Sequence, residues 1–289
     1  MDWYRMPSYA HSIARAELVA GLLALGCAPA LSSMTPAHVA QKGHFQAELG
    51  ADISIPTGAF SDIVDLGEGL SDAARGRQLS EAEQQQLFQA ASSLLLNPPS
   101  FTPHIGVAYT AVERLEFGFR YAVGSYRLGA RYQLLEQDKN GVDLSFGLGV
   151  GRYVYEFPVS NVLDVIELED FTRWQFDLPI LIGNHGDYHR FWAGPRLMGT
   201  TFGTELTYNQ PNIPGFPGQS AVLASVSGTS FYVGAQSGIA VGYKKVFIGF
   251  ELTIVQALID AELEAFGDRR QLDMDGLIIY PALGLLGEF

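Results

Sequence analysis

One cysteine, Cys27, is present, so no disulfide can form within the chain and no cysteine-rich metal site can be built. Charge is also scarce. Only 17% of residues are charged, below the usual share of a soluble domain, and basic residues number 18 against 31 acidic ones. The net charge of −13 excludes nucleic acid as a partner, because phosphate binding needs a basic surface. Beyond the first thirty positions no stretch of ~20 apolar residues occurs, which excludes a helical membrane span there. Phosphate-loop and metal motifs are missing too. Gly147-Leu148-Gly149-Val150-Gly151 reads as strand alternation, and His185 and His189 are four apart in a turn, where they share no face. No cofactor is expected.

What the chain does hold is 47% hydrophobic residues, 32 glycines and 12% aromatics in a strict two-residue rhythm. Val142, Leu144, Phe146, Leu148 and Val150 alternate with Asp143, Ser145, Gly147, Gly149 and Gly151. Leu115, Phe117, Phe119 and Tyr121 oppose Glu116, Gly118, Arg120 and Ala122. Similar runs cover 45–55, 104–111, 126–134, 174–182, 191–200, 231–241, 246–255 and 277–289, which makes ten strands. One parity is apolar throughout, and the other collects glycine and charge. A soluble barrel hides its large apolar residues inside and puts charge in water; the opposite arrangement fits lipid outside and a polar lumen. The fold expected is therefore all-β: a transmembrane antiparallel up-and-down β-barrel over residues 44–289.

The connections alternate in length. The turns at 112–114, 137–141, 184–189 and 243–245 are short, whereas 56–101, 157–170, 202–229 and 258–275 are long, with a tight hairpin at Gly124-Ser125. Short turns on the periplasmic side and long loops outside reproduce the asymmetry of bacterial outer-membrane barrels. Within the first long loop, Ser80-Glu81-Ala82-Glu83 is a capping box before Leu87, Phe88, Ala91, Leu94 and Leu95, so a helix at the outer mouth is expected, either packed on other loops or serving as a docking element.

The amino-terminal stretch carries Arg5 and Arg15 before an apolar run from Leu18 to Gly26, as a secretory signal does. Leu23-Ala24-Leu25-Gly26-Cys27 resembles the lipobox of bacterial lipoproteins, although Ala24 and Leu25 depart from its usual residues. That resemblance implies a signal peptide over 1–26, acylation of Cys27 and a periplasmic linker over 27–43; the alternative is ordinary cleavage near Ser32 or Ala40. The last strand, from Leu277 to Phe289, resembles the carboxy-terminal signal that Gram-negative outer-membrane barrels present to their assembly machinery, with Tyr280, Gly284 and Phe289 as its marks and Gly287 as a departure. The resemblance implies an outer-membrane location, and outer-membrane lipid and the barrel assembly machinery as partners.

Inside such a barrel Glu48, Glu116, Asp143, Asp177 and Glu251 would face Arg120, Arg127, Arg131 and Arg196. Neighbouring charges in a narrow bore pair, because an unpaired one costs several kcal/mol. The expected outcome is a lumen plugged by side chains in a structural or interaction protein that shows its outer loops to other envelope proteins. A narrow conduit for a small solute is the alternative. Hydrolase chemistry of the omptin kind needs an acidic pair facing an Asp–His pair. Here Asp273 and Asp275 precede the last strand, while Asp187 and His189 lie on a short turn at the opposite end, ~25 Å away across the apolar band, so no catalytic group is assigned.

Overall fold

The computed structural model describes residues 29–57, 97, 99–155, 166–168, 171–209, 220–265 and 268–289. The strands are β1 (Phe45–Pro56), β2 (Ser100–Val112), β3 (Leu115–Ala122), β4 (Ser125–Leu135), β5 (Asp143–Tyr155), β6 (Ile166–Leu168), β7 (Phe171–Asp177), β8 (Ile180–His185), β9 (His189–Asn209), β10 (Ser220–Tyr243), β11 (Val246–Ala265) and β12 (Asp268–Glu288). A single helical turn, α1 (Gln137–Asn140), closes one short connection. Every pairing is antiparallel, consecutive strands lie side by side from β1 to β5 and from β9 to β12, β7 and β8 both lie between β5 and β9, and β12 returns to pair with β1, which leaves the ring without an edge.

β7 and β8 form one stave. Gly149 pairs with Asp177 and Phe146 with Ile180 in the same register, and the interruption falls at Leu178-Pro179, where proline supplies no ladder N–H. Counted so, ten staves make a transmembrane β-barrel. β6 is a short addition to the top of β9, through Ile166 and Tyr208.

Outward-facing apolar side chains form the band that the alternation demands. Leu148 is 67% exposed, Ile248 64% and Leu283 60%, values that only a non-aqueous surround makes tolerable. Aromatic rings edge the band at both ends. Near the short turns Phe45 meets Tyr109 at 4.7 Å and Tyr188 meets Tyr243 at 5.5 Å between centroids; toward the other end Tyr121 meets Tyr126 at 5.0 Å, and the Arg152 guanidinium lies 5.5 Å from the Trp174 ring centre. Such rings settle where headgroups meet hydrocarbon.

Two expected long loops are strand wherever the structure describes them. Residues 202–209 and 220–229 continue β9 and β10, and the 258–275 connection is taken up by β11 and β12, whose ladder runs up to Ala265 and Asp268. Along β11 the polarity of the faces inverts. Outward Ile248, Phe250 and Ile254 give way to exposed Asp260 and Glu262, while inward Glu251 and Thr253 give way to buried Ile259, Ala261 and Leu263. Above the band the outside is water, so the chain returns to apolar-in, polar-out. Because of that reversal, a single apolar parity marks only the part of each strand that lies within the band. β9 to β12 run to 20–24 residues, about twice the 9–11 a bilayer needs, and make a tall wall on one side. The helix expected at 80–97 lies outside the described residues except for Asn97, which is buried and accepts a 3.0 Å hydrogen bond from Tyr232 inside the wall.

Candidate functional site

The lumen holds more than wall side chains. The segment expected as a periplasmic linker departs from that expectation: from Pro29 to Ala40 it lies inside the ring, with Leu31, Ser32, Ser33, Met34, Ala37 and Ala40 all buried. It enters beside the first strand, where Gly43, at φ 87°, donates to the Thr110 carbonyl at 2.8 Å. From there it climbs. His38 lies level with Glu288 at the short turns, Ser33 with Glu251 about six residues up β11, and Ala30 accepts from Gln175 at 3.3 Å, about ten residues up its stave and near the top of the apolar band.

Glu251 grips the middle of this segment. Its two carboxylate oxygens accept from the backbone N–H groups of Ser33 at 2.8 Å and Met34 at 2.9 Å, the Ser33 hydroxyl at 3.2 Å and the Trp192 indole at 2.8 Å. Met34 has φ 46°, and this left-handed residue after Ser33 turns successive N–H groups toward one anion, a backbone nest. The Met34 side chain fills a slot among Trp192, Phe247 and Leu286, with its Cε 3.1 Å and 3.2 Å from where a Cβ would stand on Gly249 and Gly284. Larger residues at those two wall positions would displace it.

Two arginines hold the segment on either side. Arg120 donates to the Ser32 carbonyl and, at 2.8 Å, to its hydroxyl, while pairing with Asp52 at 3.1 Å and Glu48 at 3.2 Å. Arg131 donates to the Pro36 carbonyl and, at 3.1 Å, to that of His38, and pairs with Glu116 at 2.9 Å. Other ion pairs lie within the wall itself. Asp177 takes both Arg196, at 2.5 Å, and Arg127, at 3.0 Å. Asp143 pairs with His185 at 2.6 Å and accepts from Gln133 at 2.8 Å, with no arginine partner among the described residues. His104 lies 3.2 Å from Asp52 with both side chains fully buried. Glu48, Glu116, Arg120, Arg127, Arg131, Asp143, Asp177, Arg196 and Glu251 lie on the lumen side of the wall, where Glu251 meets segment backbone, the Ser33 hydroxyl and Trp192, and Asp143 meets His185.

The lower end of the segment has a latch. The His38 ring stacks on that of His185, with centroids 4.6 Å apart, and its Nε2 lies 2.9 Å from Glu288, which Arg190 approaches at 3.4 Å. His185 is therefore held in place rather than loose in a solvated turn. Burial pushes the His38 imidazole below its ordinary value, the Glu288 hydrogen bond opposes this, and His185 and Arg190 push it further down. A seated segment thus favours neutral His38, and a released one takes up the proton first. Seating is at full strength above about pH 6.5 and weakens as pH falls toward the lowered value. In an NMR titration the His38 ring is expected to show a midpoint below 6.5; a midpoint at or above 6.5 would contradict the preference of the seated segment for neutral His38.

Space remains beside the segment. Ala108, Gly118, Gly129 and Gly149 stand in one row across β2 to β5, and Gly118 and Gly129 would each accept a Cβ with no contact closer than 3.4 Å. The first three of this row, with Glu48, Arg120, Arg127 and Arg131, border a cavity of about 130 Å³, room for roughly ten waters at 10–15 Å³ each.

In the last strand Tyr280 points inward and is fully buried, Gly284 admits Met34, and Phe289 is exposed on the lipid side, bonded through its backbone to Phe45 at the seam. Asp187 and Asp275 sit at opposite ends of the barrel, on the turn before β9 and high on β12 opposite Leu258. Cys27 lies outside the described residues. The internal segment went unforeseen, although one signal pointed to it. From Leu18 to Gln41 there is no Asp, Glu, Lys or Arg, and a chain running through water seldom goes so long without charge.

A closed ring, a lipid-facing band and a polar interior define the class: this is a membrane β-barrel. Solved structures similar to it in fold are outer-membrane proteins. A major outer membrane protein from Thermus thermophilus shares 12% identity over 65% of this chain and 98% of its own, at a TM-score of 0.34. Ail, the attachment invasion locus protein of Yersinia pestis, shares 11% over 86% and 100%, at 0.28. The amino-terminal barrel domain of Pseudomonas aeruginosa OprF shares 9% over 87% and 100%, at 0.24. The likeness is one of fold alone. No protein-family profile matches the sequence, and no curated protein is similar to it.

Proposed function

We propose that this chain is an outer-membrane barrel closed along its lumen by its own residues 29–40, and that it serves as a structural or interaction protein. The single observation that carries this reading is the seated segment, held by Glu251, Arg120 and Arg131 and packed against Trp192 and Tyr232. The short turns and both ends of the barrel chain face the periplasm. The tall β9–β12 wall stands outside, with Asp260, Glu262, Arg269 and Gln271 on its exposed face for other envelope proteins. The terminal strand with Tyr280, Gly284 and Phe289 is the element that an assembly machinery would engage.

Export would require a leader, for which residues 1–26 have the right pattern, and Cys27 is the candidate for acylation. Chain reach bears on that candidate. Three residues span at most ~10 Å, so from Ala30 an acyl group at residue 27 falls short of a periplasmic leaflet ~25 Å below. Acylation there and a seated segment therefore exclude each other.

Planar-bilayer recording of the full chain tests the closed lumen. Silence is expected at neutral pH, and steady conductance would refute the reading.

A further inference from the structure

We infer a second function for this lumen: residues 29–40 are a displaceable plug, and the barrel has an open state that conducts small cations past Glu251. The inference rests on the outer-membrane reading above. Among the described residues, no backbone-to-backbone hydrogen bond joins residues 29–40 to the wall, and the first such bond, from Gly43 to Thr110, lies just below them. The segment's polar attachments run between a side chain and the backbone, or between side chains, so water can replace them while the ring stays closed through its own ladders, and the packing of Leu31, Met34 and Ala37 is what release must overcome. The cavity beside Gly118 and Gly129 means that withdrawal enlarges a space already present.

Charge sets what would pass. When the segment leaves, Arg120 keeps Glu48 and Asp52, Arg131 keeps Glu116, and Arg127 and Arg196 keep Asp177. Glu251 loses its main donors, the N–H groups of Ser33 and Met34 and the Ser33 hydroxyl, and retains Trp192 and a 3.4 Å contact from Thr253, whereas Glu288 at the lower mouth loses His38 but keeps Arg190. An uncompensated carboxylate in a narrow bore recruits cations.

Planar-bilayer recording in a KCl gradient, with folding checked by unheated gel mobility, tests this on four proteins: the full chain, the chain lacking residues 29–40, that deletion carrying Glu251→Gln, and the full chain with Ser33→Glu. The last leaves the wall untouched and sets a second carboxylate against Glu251, so it tests release even where the deletion fails to assemble. The expected result is a silent full chain and a conducting deletion that favours K⁺ over Cl⁻ severalfold. Glu251→Gln should bring that preference close to one, and Ser33→Glu should open the full chain. A folded deletion and a folded Ser33→Glu chain that are both silent would overturn the plug, and a Cl⁻ preference in the deletion would overturn the role of Glu251. Steady current from the unaltered chain would instead refute the closed resting state.

Discussion

Replacing Asp177 with alanine is expected to cost roughly 3–5 kcal/mol of barrel stability, the usual penalty for removing one partner of a buried ion pair. Its carboxylate is fully buried and serves two guanidiniums, Arg196 at 2.5 Å and Arg127 at 3.0 Å, and it also accepts from Gln175 at 3.0 Å. Arg196 has no exposure at all and no other ion-pair partner among the described residues, so truncation leaves a bare charge far from water. The double change Asp177→Leu with Arg196→Met should recover much of the loss, since apolar groups of similar volume often replace a buried pair without penalty. Unfolding in urea, followed by the shift in gel mobility, measures both. A loss below about 1 kcal/mol in Asp177→Ala would show that lumen water already carries these charges.

The second large effect concerns the outer face. Leu283→Arg puts a guanidinium near the middle of the apolar band, and the expected cost is about 2–4 kcal/mol of insertion free energy. Asp260→Arg, one strand away on β11 but above the band, should cost no more than ~1 kcal/mol. The contrast separates lipid from water as the surround, because in water both positions would tolerate arginine alike. Partitioning of the refolded variants into lipid vesicles reads it directly. Equal retention of both would place the band's edge elsewhere or remove the band.

Much of this barrel was legible as alternation. Runs such as Val142 to Val150 state both faces residue by residue, and the lumen charges followed from parity alone. Legibility failed at two places for physical reasons. Beyond Leu258 the solvent changes from lipid to water, so the same strand reverses which face is greasy, and residues 258–275 looked like a loop although they pair from Asp275 to Asp268. In the internal segment there is no period at all. Leu31, Met34 and Ala37 are buried because a ring surrounds them, and their partners Tyr232, Trp192 and Glu251 are some two hundred residues away. Alternation puts Glu251 on the inward parity, but its role as receptor for two backbone N–H groups depends on the turn at Met34, which no spacing announces.

The central claim is a closed membrane barrel, and gel mobility with and without heating tests it most directly. Refolded into detergent or lipid vesicles and left unheated, the chain should keep its strand ladder and migrate apart from the boiled sample. Identical migration of the two, in a preparation that spectroscopy shows to be rich in β-structure, would contradict the account.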